Sequence, residues 1–401
     1  MNQETASFIT AHRHDDVHQL ALKGCPVNVD LPFALEQISG WQTAQKKWPT
    51  WAATEGLLYP PHLNMEQSSS EQTARYKASL CRRLDVREKL VDLTGGMGVD
   101  FFFMAQAFNH AIYVEKQPHL CELATHNMAR LGLTHAEIKN ADSIEYSQTL
   151  EHASLLFLDP ARRHQNGKRA YALEDCSPNI VLWHRQLLKK CDYLLLKLSP
   201  MFDWHEAVRV LEGVREVHIV SVKNECKELL LLLSGTAFAG ESQNLRVVCV
   251  NDEEVFEFSP DHSSYPATTS MEDEWHLDEF LYLYEPNSSV MKAGCFGEVA
   301  QRFGVTPLGR DSHLFVAKED IGTFVGRKFQ ICAISSPKKS SFKTCCPHLQ
   351  QANVAVRNFP MSAQALQQKL QLKDGGDTYI FGTTINRRQH VLIICRKCEE
   401  K

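Results

Sequence analysis

No apolar run in this chain approaches the ~18 residues that a helix needs to cross a bilayer. The longest, Leu229-Leu230-Leu231-Leu232-Leu233, has the length of a strand. The first residues, Met1-Asn2-Gln3-Glu4-Thr5, lack the basic start and apolar stretch of a secretory leader, so no membrane partner is expected. Internal repeats and low-complexity tracts are absent. Zinc-ribbon spacing is missing too: Cys345 and Cys346 are adjacent, and Cys395 with Cys398 stands as a single pair. His12, His14 and His18 lie beside Asp15 and Asp16 without a further ligand set, which favours a surface cluster over a metal site. No metal is expected. The 13 cysteines are odd in number and follow no framework, which points to reduced thiols and a cytoplasmic protein.

What is present points to several domains, since single cores stop growing at roughly 250–300 residues and the chain has 401. The net charge of −5 is unevenly spread. From Val325 to Lys401 there are 13 Lys and Arg against 4 Asp and Glu, a balance of +9 that leaves −14 for the rest. A basic C-terminal part on an acidic body is the footprint of a polyanion-binding appendage, or of a basic surface that merely keeps the protein soluble.

Polar, helical patterning fills residues 1–85, where Gln67-Ser68-Ser69-Ser70 offers a helix N-cap before Arg75-Tyr76-Lys77. Strands and helices alternate over 86–240, with strands expected at 89–94, 111–115, 136–140, 154–159, 193–198, 216–222 and 228–234. The last two are joined by five residues, Lys223 to Lys227, which permits only a hairpin. The fold class is therefore α/β: a Rossmann-like sheet of seven strands whose last hairpin is antiparallel, preceded by a helical region. Residues 241–275 are acidic and poor in pattern, and read as a linker. Two small α+β units follow, at 276–320 and 321–401. The first has a strand at 280–284, a helix over 288–303 and a strand at 313–316. The second has strands at 328–334, 354–357, 378–381 and 390–395, a helix over 362–370, and a turn at Asn386-Arg387-Arg388 in its final hairpin.

The stretch Asp92-Leu93-Thr94-Gly95-Gly96-Met97-Gly98-Val99-Asp100 closes the first strand in a glycine turn and opens a helix, where backbone comes close to a ligand. The next strand ends at Glu115, placed to accept from ribose hydroxyls. The third ends at Asn140-Ala141-Asp142, within reach of an adenine amine, and the fourth at Asp159-Pro160. Gly95-Gly96-x-Gly98 followed by Phe101, Phe102 and Phe103 departs from the dinucleotide fingerprint. Asp92 would repel a pyrophosphate but could hold an amino-acid ammonium. The set Asp92, Thr94, Gly95, Gly96, Gly98, Asp100, Glu115, Asn140, Ala141 and Asp142 thus favours S-adenosylmethionine as cofactor.

Asp159-Pro160-Ala161-Arg162-Arg163 resembles the substrate-facing motif of class I methyltransferases. Amino-methylating members carry Asp/Asn-Pro-Pro-aromatic there; this chain has Ala161 and Arg162 instead. Asp159, Pro160 and Arg162 are the catalytic candidates. The loop Lys197-Leu198-Ser199-Pro200-Met201-Phe202-Asp203 holds no cysteine, which disfavours covalent pyrimidine chemistry. Arg163, Lys168 and Arg169, with Lys197 and Ser199, are candidates for gripping a substrate.

Residues 92–100, 159–169 and 197–203, with Tyr284-Glu285-Pro286-Asn287-Ser288, Val356-Arg357-Asn358-Phe359-Pro360 and Leu372-Lys373-Asp374-Gly375-Gly376-Asp377, resemble blocks of one bacterial family. Its members are class I S-adenosylmethionine-dependent methyltransferases with a ferredoxin-like module and a THUMP-like C-terminal domain. The resemblance implies a THUMP-like unit of a type associated with RNA binding, and with the cysteine-free loop the expected reaction is methylation of an RNA base by direct transfer. The alternatives are a non-catalytic RNA-binding or assembly factor, and a DNA or protein methyltransferase.

Overall fold

In a computed structural model of the protein, residues 2–162, 173–235, 244–260, 277–309, 311–385 and 389–398 are described. The chain forms two compact units. The first comprises residues 1–217 and 227–245, the second 218–226 and 246–401.

Side-chain caps start most of the helices of the first unit. Asn2 accepts from the Thr5 N–H to open α1 (Gln3–His12), Asp16 from Gln19 to open α2 (Val17–Lys23), and Asp30 from Phe33 to open α3 (Leu31–Lys47). The short α4 (Pro49–Ala52) and α5 (His62–Gln67) lead to α6 (Glu71–Arg82), where Ser70 accepts from Thr73 as its sequence context indicates.

The expected Rossmann-like sheet follows. Its elements are β1 (Lys89–Asp92), α7 (Val99–Ala105), β2 (His110–Glu115), α8 (Pro118–Arg130), β3 (Ala136–Asn140), α9 (Ser143–Thr149), β4 (Ala153–Leu158), α10 (Ile180–Leu188), β5 (Cys191–Leu198), α11 (Trp204–Val210), β6 (Val214–Val222) and β7 (Glu225–Ser234). The strands run in the order β3-β2-β1-β4-β5-β7-β6. β1 pairs parallel with both β2 and β4, so the strand order reverses at β1 and leaves a crevice above its carboxyl end. β7 runs antiparallel to β5, Tyr193 opposite Ser234 and Leu198 opposite Leu229, so the five-leucine run is buried strand.

All seven residues of α7 except Asp100 are buried, because the helix is enclosed on every side. Its three phenylalanines point three ways. Phe101 meets Tyr113 of the sheet edge-on at 5.5 Å, Phe102 meets Trp51 of α4 at 6.0 Å, and Arg75 of α6 lies 4.7 Å over Phe103.

In the second unit, residues 246–258 form a hairpin of β8 (Arg246–Asn251) and β9 (Glu254–Phe258), where the sequence reads as a pattern-poor linker. Val247 to Val250 are buried consecutively, so no alternation shows, and the acids cluster at the tight turn around Asp252. Then come β10 (Tyr282–Pro286), α12 (Ser288–Ala293), α13 (Phe296–Phe303), β11 (Thr306–Pro307), β12 (Phe315–Ala317), β13 (Gly326–Ser335), α14 (Lys339–Cys345), β14 (Asn353–Arg357), α15 (Ala363–Leu370), β15 (Thr378–Ile385) and β16 (Gln389–Lys397). The single helix expected over 288–303 is two, because Gly294 adopts φ +72° and caps α12. The turn at 386–388 lies outside the described residues.

These strands make one sheet, ordered β11-β12-β10-β13-β16-β15-β14. β13 runs antiparallel to β10, from Gly326 opposite Pro286 to Gln330 opposite Tyr282, so the two small α+β units share a continuous ladder. Val391, Ile393 and Cys395 enter the core on one face, while Leu392 and Ile394 enter the core on the other. Buried Glu285 accepts from Arg327 Nε and from an Arg357 amino group, each at 2.8 Å. That triad ties the Tyr284-Glu285-Pro286 block to the Val356-Arg357-Asn358 block.

Candidate functional site

The carboxyl ends of β1, β2, β4 and β5 open into a cleft of about 1060 Å³ in the first unit. Its lining includes Asp92, Thr94, Gly95, Gly96, Gly98, Asp100, Glu115, Ala141, Asp142, Asp159, Pro160, Lys197 and Ser199. The structure thus brings together most of the residues picked from the sequence. Asn140 is not among the lining residues; its side-chain amide donates to the Glu115 carbonyl at 2.9 Å and ties β3 to β2. The side chain of Arg162, and Arg163, Lys168 and Arg169 entirely, lie outside the described residues.

Gly95 and Gly98 are there because the turn leaves no room for a side chain at either position. A Cβ on Gly95 would stand 2.2 Å from the Tyr113 ring, and one on Gly98 would stand 2.8 Å from the Met128 methyl. Gly98 also has φ +84° as the residue that opens α7. Glu115 holds the turn in shape: one carboxylate oxygen accepts from the Gly96 N–H at 3.0 Å and the other from the Gln117 N–H at 2.9 Å. Thr94 bridges the strand ends, since its hydroxyl accepts from the Asp159 N–H at 2.7 Å and donates to Asp92 at 3.3 Å. Asp142 caps α9 by accepting from the Ile144 N–H at 2.9 Å.

Asp92 is 1 % exposed, and no cation among the described residues contributes to its shift. Burial, with Asp100 and Asp159 nearby, pushes its carboxyl up to about 8 despite the Thr94 N–H that it accepts at 2.8 Å. Such a carboxyl is poised to ionise when a cation enters.

The floor of the cleft is a chain of charges. Lys197 Nζ lies 2.5 Å from Asp159 and 3.5 Å from Asp100. Lys77, from α6 and fully buried, lies 3.2 Å from the other Asp100 oxygen, though not aligned for a hydrogen bond, and 2.6 Å from Glu228 on β7. Ser69 donates to Asp100 at 2.6 Å. The side chains grade from buried Lys77 and Glu228, through Lys197 and Asp100 at 12 % exposure, to Asp159 at 39 %. Burial pulls the Lys197 ammonium down, but Asp159, Asp100 and Glu228 together raise it above the ordinary lysine value. Burial raises Asp100, and its two lysines more than reverse this. Glu228 stays raised by burial in spite of Lys77.

Sequence reasoning missed Lys77 and Glu228. Both carried a signal. Lys77 shares the buried face of α6 with Thr73, Ala74 and Cys81, and Glu228 is an acid that immediately precedes the buried five-leucine run of β7. Asp100, picked to hold a cofactor, lines the cleft but spends its carboxylate on the lysines. Elsewhere, His12 pairs with Asp15 at 2.8 Å, and among the described residues no three His, Cys, Asp or Glu side chains are grouped to hold a metal. No helix among them is long and apolar enough to cross a membrane.

Two family models match the second unit: a ferredoxin-like domain over residues 282–324 and a THUMP domain-like domain over 326–397. The chain carries both domains. The ferredoxin-like domain ends and the THUMP-like domain begins within one sheet. Nearly the whole chain is similar to a crystal structure named "putative methyltransferase from Porphyromonas gingivalis W83", with 29 % identity over 98 % of each chain and a TM-score of 0.85. A S-adenosylmethionine-dependent methyltransferase from Agrobacterium tumefaciens shares 18 % identity over 41 % of this chain and 62 % of its own, with a TM-score of 0.32. An rRNA methylase from Streptococcus thermophilus shares 15 % over 41 % and 93 %, with a TM-score of 0.29. A search of the curated proteins finds no match.

Proposed function

We propose that the protein is a S-adenosylmethionine-dependent RNA methyltransferase that transfers the methyl group directly, without a covalent cysteine intermediate. The observation that carries this reading is Asp92: a buried carboxyl with no cation beside it among the described residues, next to a turn where Gly95 and Gly98 leave no room for side chains. These residues fit the cofactor. Asp92 would take its ammonium, Glu115 its ribose hydroxyls, and Ala141 and Asp142 its adenine. Bound there, S-adenosylmethionine supplies an electrophilic methyl group. The protein's own part is to align an acceptor at Asp159 and Pro160 and to exclude water, since in-line alignment carries most of such a reaction. Arg162, Arg163, Lys168 and Arg169 follow Asp159 directly in the chain and would grip the substrate beside it.

The likeness over the whole length to the Porphyromonas gingivalis protein supports a methyltransferase. RNA is supported by the THUMP-like domain, a type associated with RNA binding, and by the balance of +9 from Val325 onward. All thirteen cysteines are free thiols, which fits a reducing cytoplasm. The same reading keeps residues 1–85 as a helical region, 86–240 as the catalytic domain, and 276–320 and 321–401 as the substrate-side modules.

Calorimetry with S-adenosylhomocysteine tests the cofactor: micromolar binding is expected, weakened at least tenfold by Asp92→Ala. No binding to the intact protein overturns the enzyme reading in favour of a non-catalytic RNA-binding factor.

A further inference from the structure

The charge chain on the cleft floor bears on which atom accepts the methyl group. We propose that the acceptor is a hydroxyl oxygen, the ribose 2′-hydroxyl of RNA, with Asp159 as its proton acceptor and Lys197 as the cation beside it. This rests on the proposed methyltransferase function and deepens it.

Three observations carry it. First, among the described residues no aromatic face is offered to a flat base near Asp159. Arg162 stands where amino-methylating enzymes carry their stacking aromatic, and the nearby rings that line the cleft, Phe157, Trp183 and Phe202, are 1 %, 5 % and 3 % exposed. Second, one Asp159 oxygen is held by Lys197 at 2.5 Å, which sets an ammonium beside the carboxylate that would take the proton. Third, lysines reach the cleft beside Asp159. Lys197 and Lys227 both line the cleft, and Lys47, whose ammonium donates to the Met65 and Glu66 carbonyls, is pulled down to about 8 by burial and then by Lys197. A neutral amine becomes a cation as it is methylated, which these lysines oppose. A hydroxyl does not have to: an ammonium donating to its oxygen favours oxyanion character, and the adjacent carboxylate takes its proton.

The step balances. The oxygen lone pair forms the new O–C bond as the C–S bond of the sulfonium breaks, and that electron pair stays on sulfur as a neutral thioether. The hydroxyl proton passes to the Asp159 carboxylate and from there to water. Lys197 remains an ammonium throughout, held in place by Asp100. Asp100 is in turn fixed by Lys77, which Glu228 neutralises.

The test uses the full-length protein and RNA from a deletion strain. RNA from parent, deletion strain and strains complemented with the wild type, Asp159→Asn or Lys197→Ala is hydrolysed in alkali, which leaves ribose-methylated positions as uncut dinucleotides. The expected result is an alkali-stable dinucleotide present in parent and wild-type complement, absent on deletion, and reduced at least tenfold in both variants. The variants should bind S-adenosylhomocysteine within threefold of wild type, which shows that they are folded. Loss of a base-methylated nucleoside on deletion, with every alkali-stable dinucleotide unchanged, overturns the hydroxyl acceptor and leaves the methyltransferase standing. No change in any methylated nucleoside overturns both. A readout without turnover is the affinity for a random-sequence RNA 20-mer against its fully 2′-O-methylated counterpart, with no methyl donor present. At least threefold preference for the free hydroxyl is expected, lost in Lys197→Ala; equal affinity in the wild type overturns the placement of Lys197 at the hydroxyl.

Discussion

Asp92 ties ligand binding to pH. With its carboxyl near 8 in the ligand-free protein, it holds a proton at neutral pH that an arriving ammonium must expel. Affinity for S-adenosylhomocysteine should therefore rise with pH from 6 to about 8, approaching tenfold per pH unit at the steepest, and then level. Calorimetry at pH 7 in two buffers of different ionisation heat should find close to one proton released. The same raised value means that the folded ligand-free protein binds more protons than the unfolded chain between roughly pH 4 and 8. Asp92 therefore lowers stability as pH climbs through that window. Lys77 makes the complementary case. Lys77→Met leaves Glu228 buried without its ion-pair partner and should cost about 3–5 kcal/mol in urea unfolding. Adding Glu228→Leu should recover most of that loss, because the desolvated charge goes too.

Among the elements, the turn between β1 and α7 tolerates little change. Gly95→Ala drives a Cβ into the Tyr113 ring, so it should destabilise the fold by about 1–3 kcal/mol and cut cofactor affinity at least a hundredfold. Gly96→Ala meets nothing closer than 3.6 Å and faces only the strain of φ +54°, about 1–2 kcal/mol, so it should bind more tightly than Gly95→Ala. Thermal melts and calorimetry on both variants check this ordering. The turn was legible because glycines, a strand before and acids at later strand ends are all local signals. The chain of charges beneath it was not. Lys77, Asp100, Lys197 and Glu228 come from four elements spread over 150 residues, and no spacing rule relates them. The β8–β9 hairpin escaped for a different reason: Val247 to Val250 are buried on both faces, and without alternation a short apolar run beside acids reads as loop.

For the whole molecule, the proposed function makes the uneven charge the determinant of how RNA would be held. If the THUMP-like domain supplies about six phosphate contacts to single-stranded RNA, affinity should fall roughly 300-fold between 50 and 200 mM salt. Lys338 and Lys339 are exposed at the start of α14. Reversing both to glutamate should weaken RNA binding across sequences and flatten the salt dependence, while S-adenosylhomocysteine binding by the first unit stays unchanged. Filter binding across a salt series reads the slope.

The shared ladder of β10 and β13 has a consequence for how this architecture can change over time. Cutting the chain between Ala317 and Gly326 would strip Tyr282–Pro286 of its neighbour and bare a row of N–H and C=O groups on each side of the cut. Exposed rows of that kind recruit strands from other molecules. The ferredoxin-like and THUMP-like halves are therefore not freely shuffled parts. Each is the other's shield against aggregation, so they should be gained, lost and inherited as one piece.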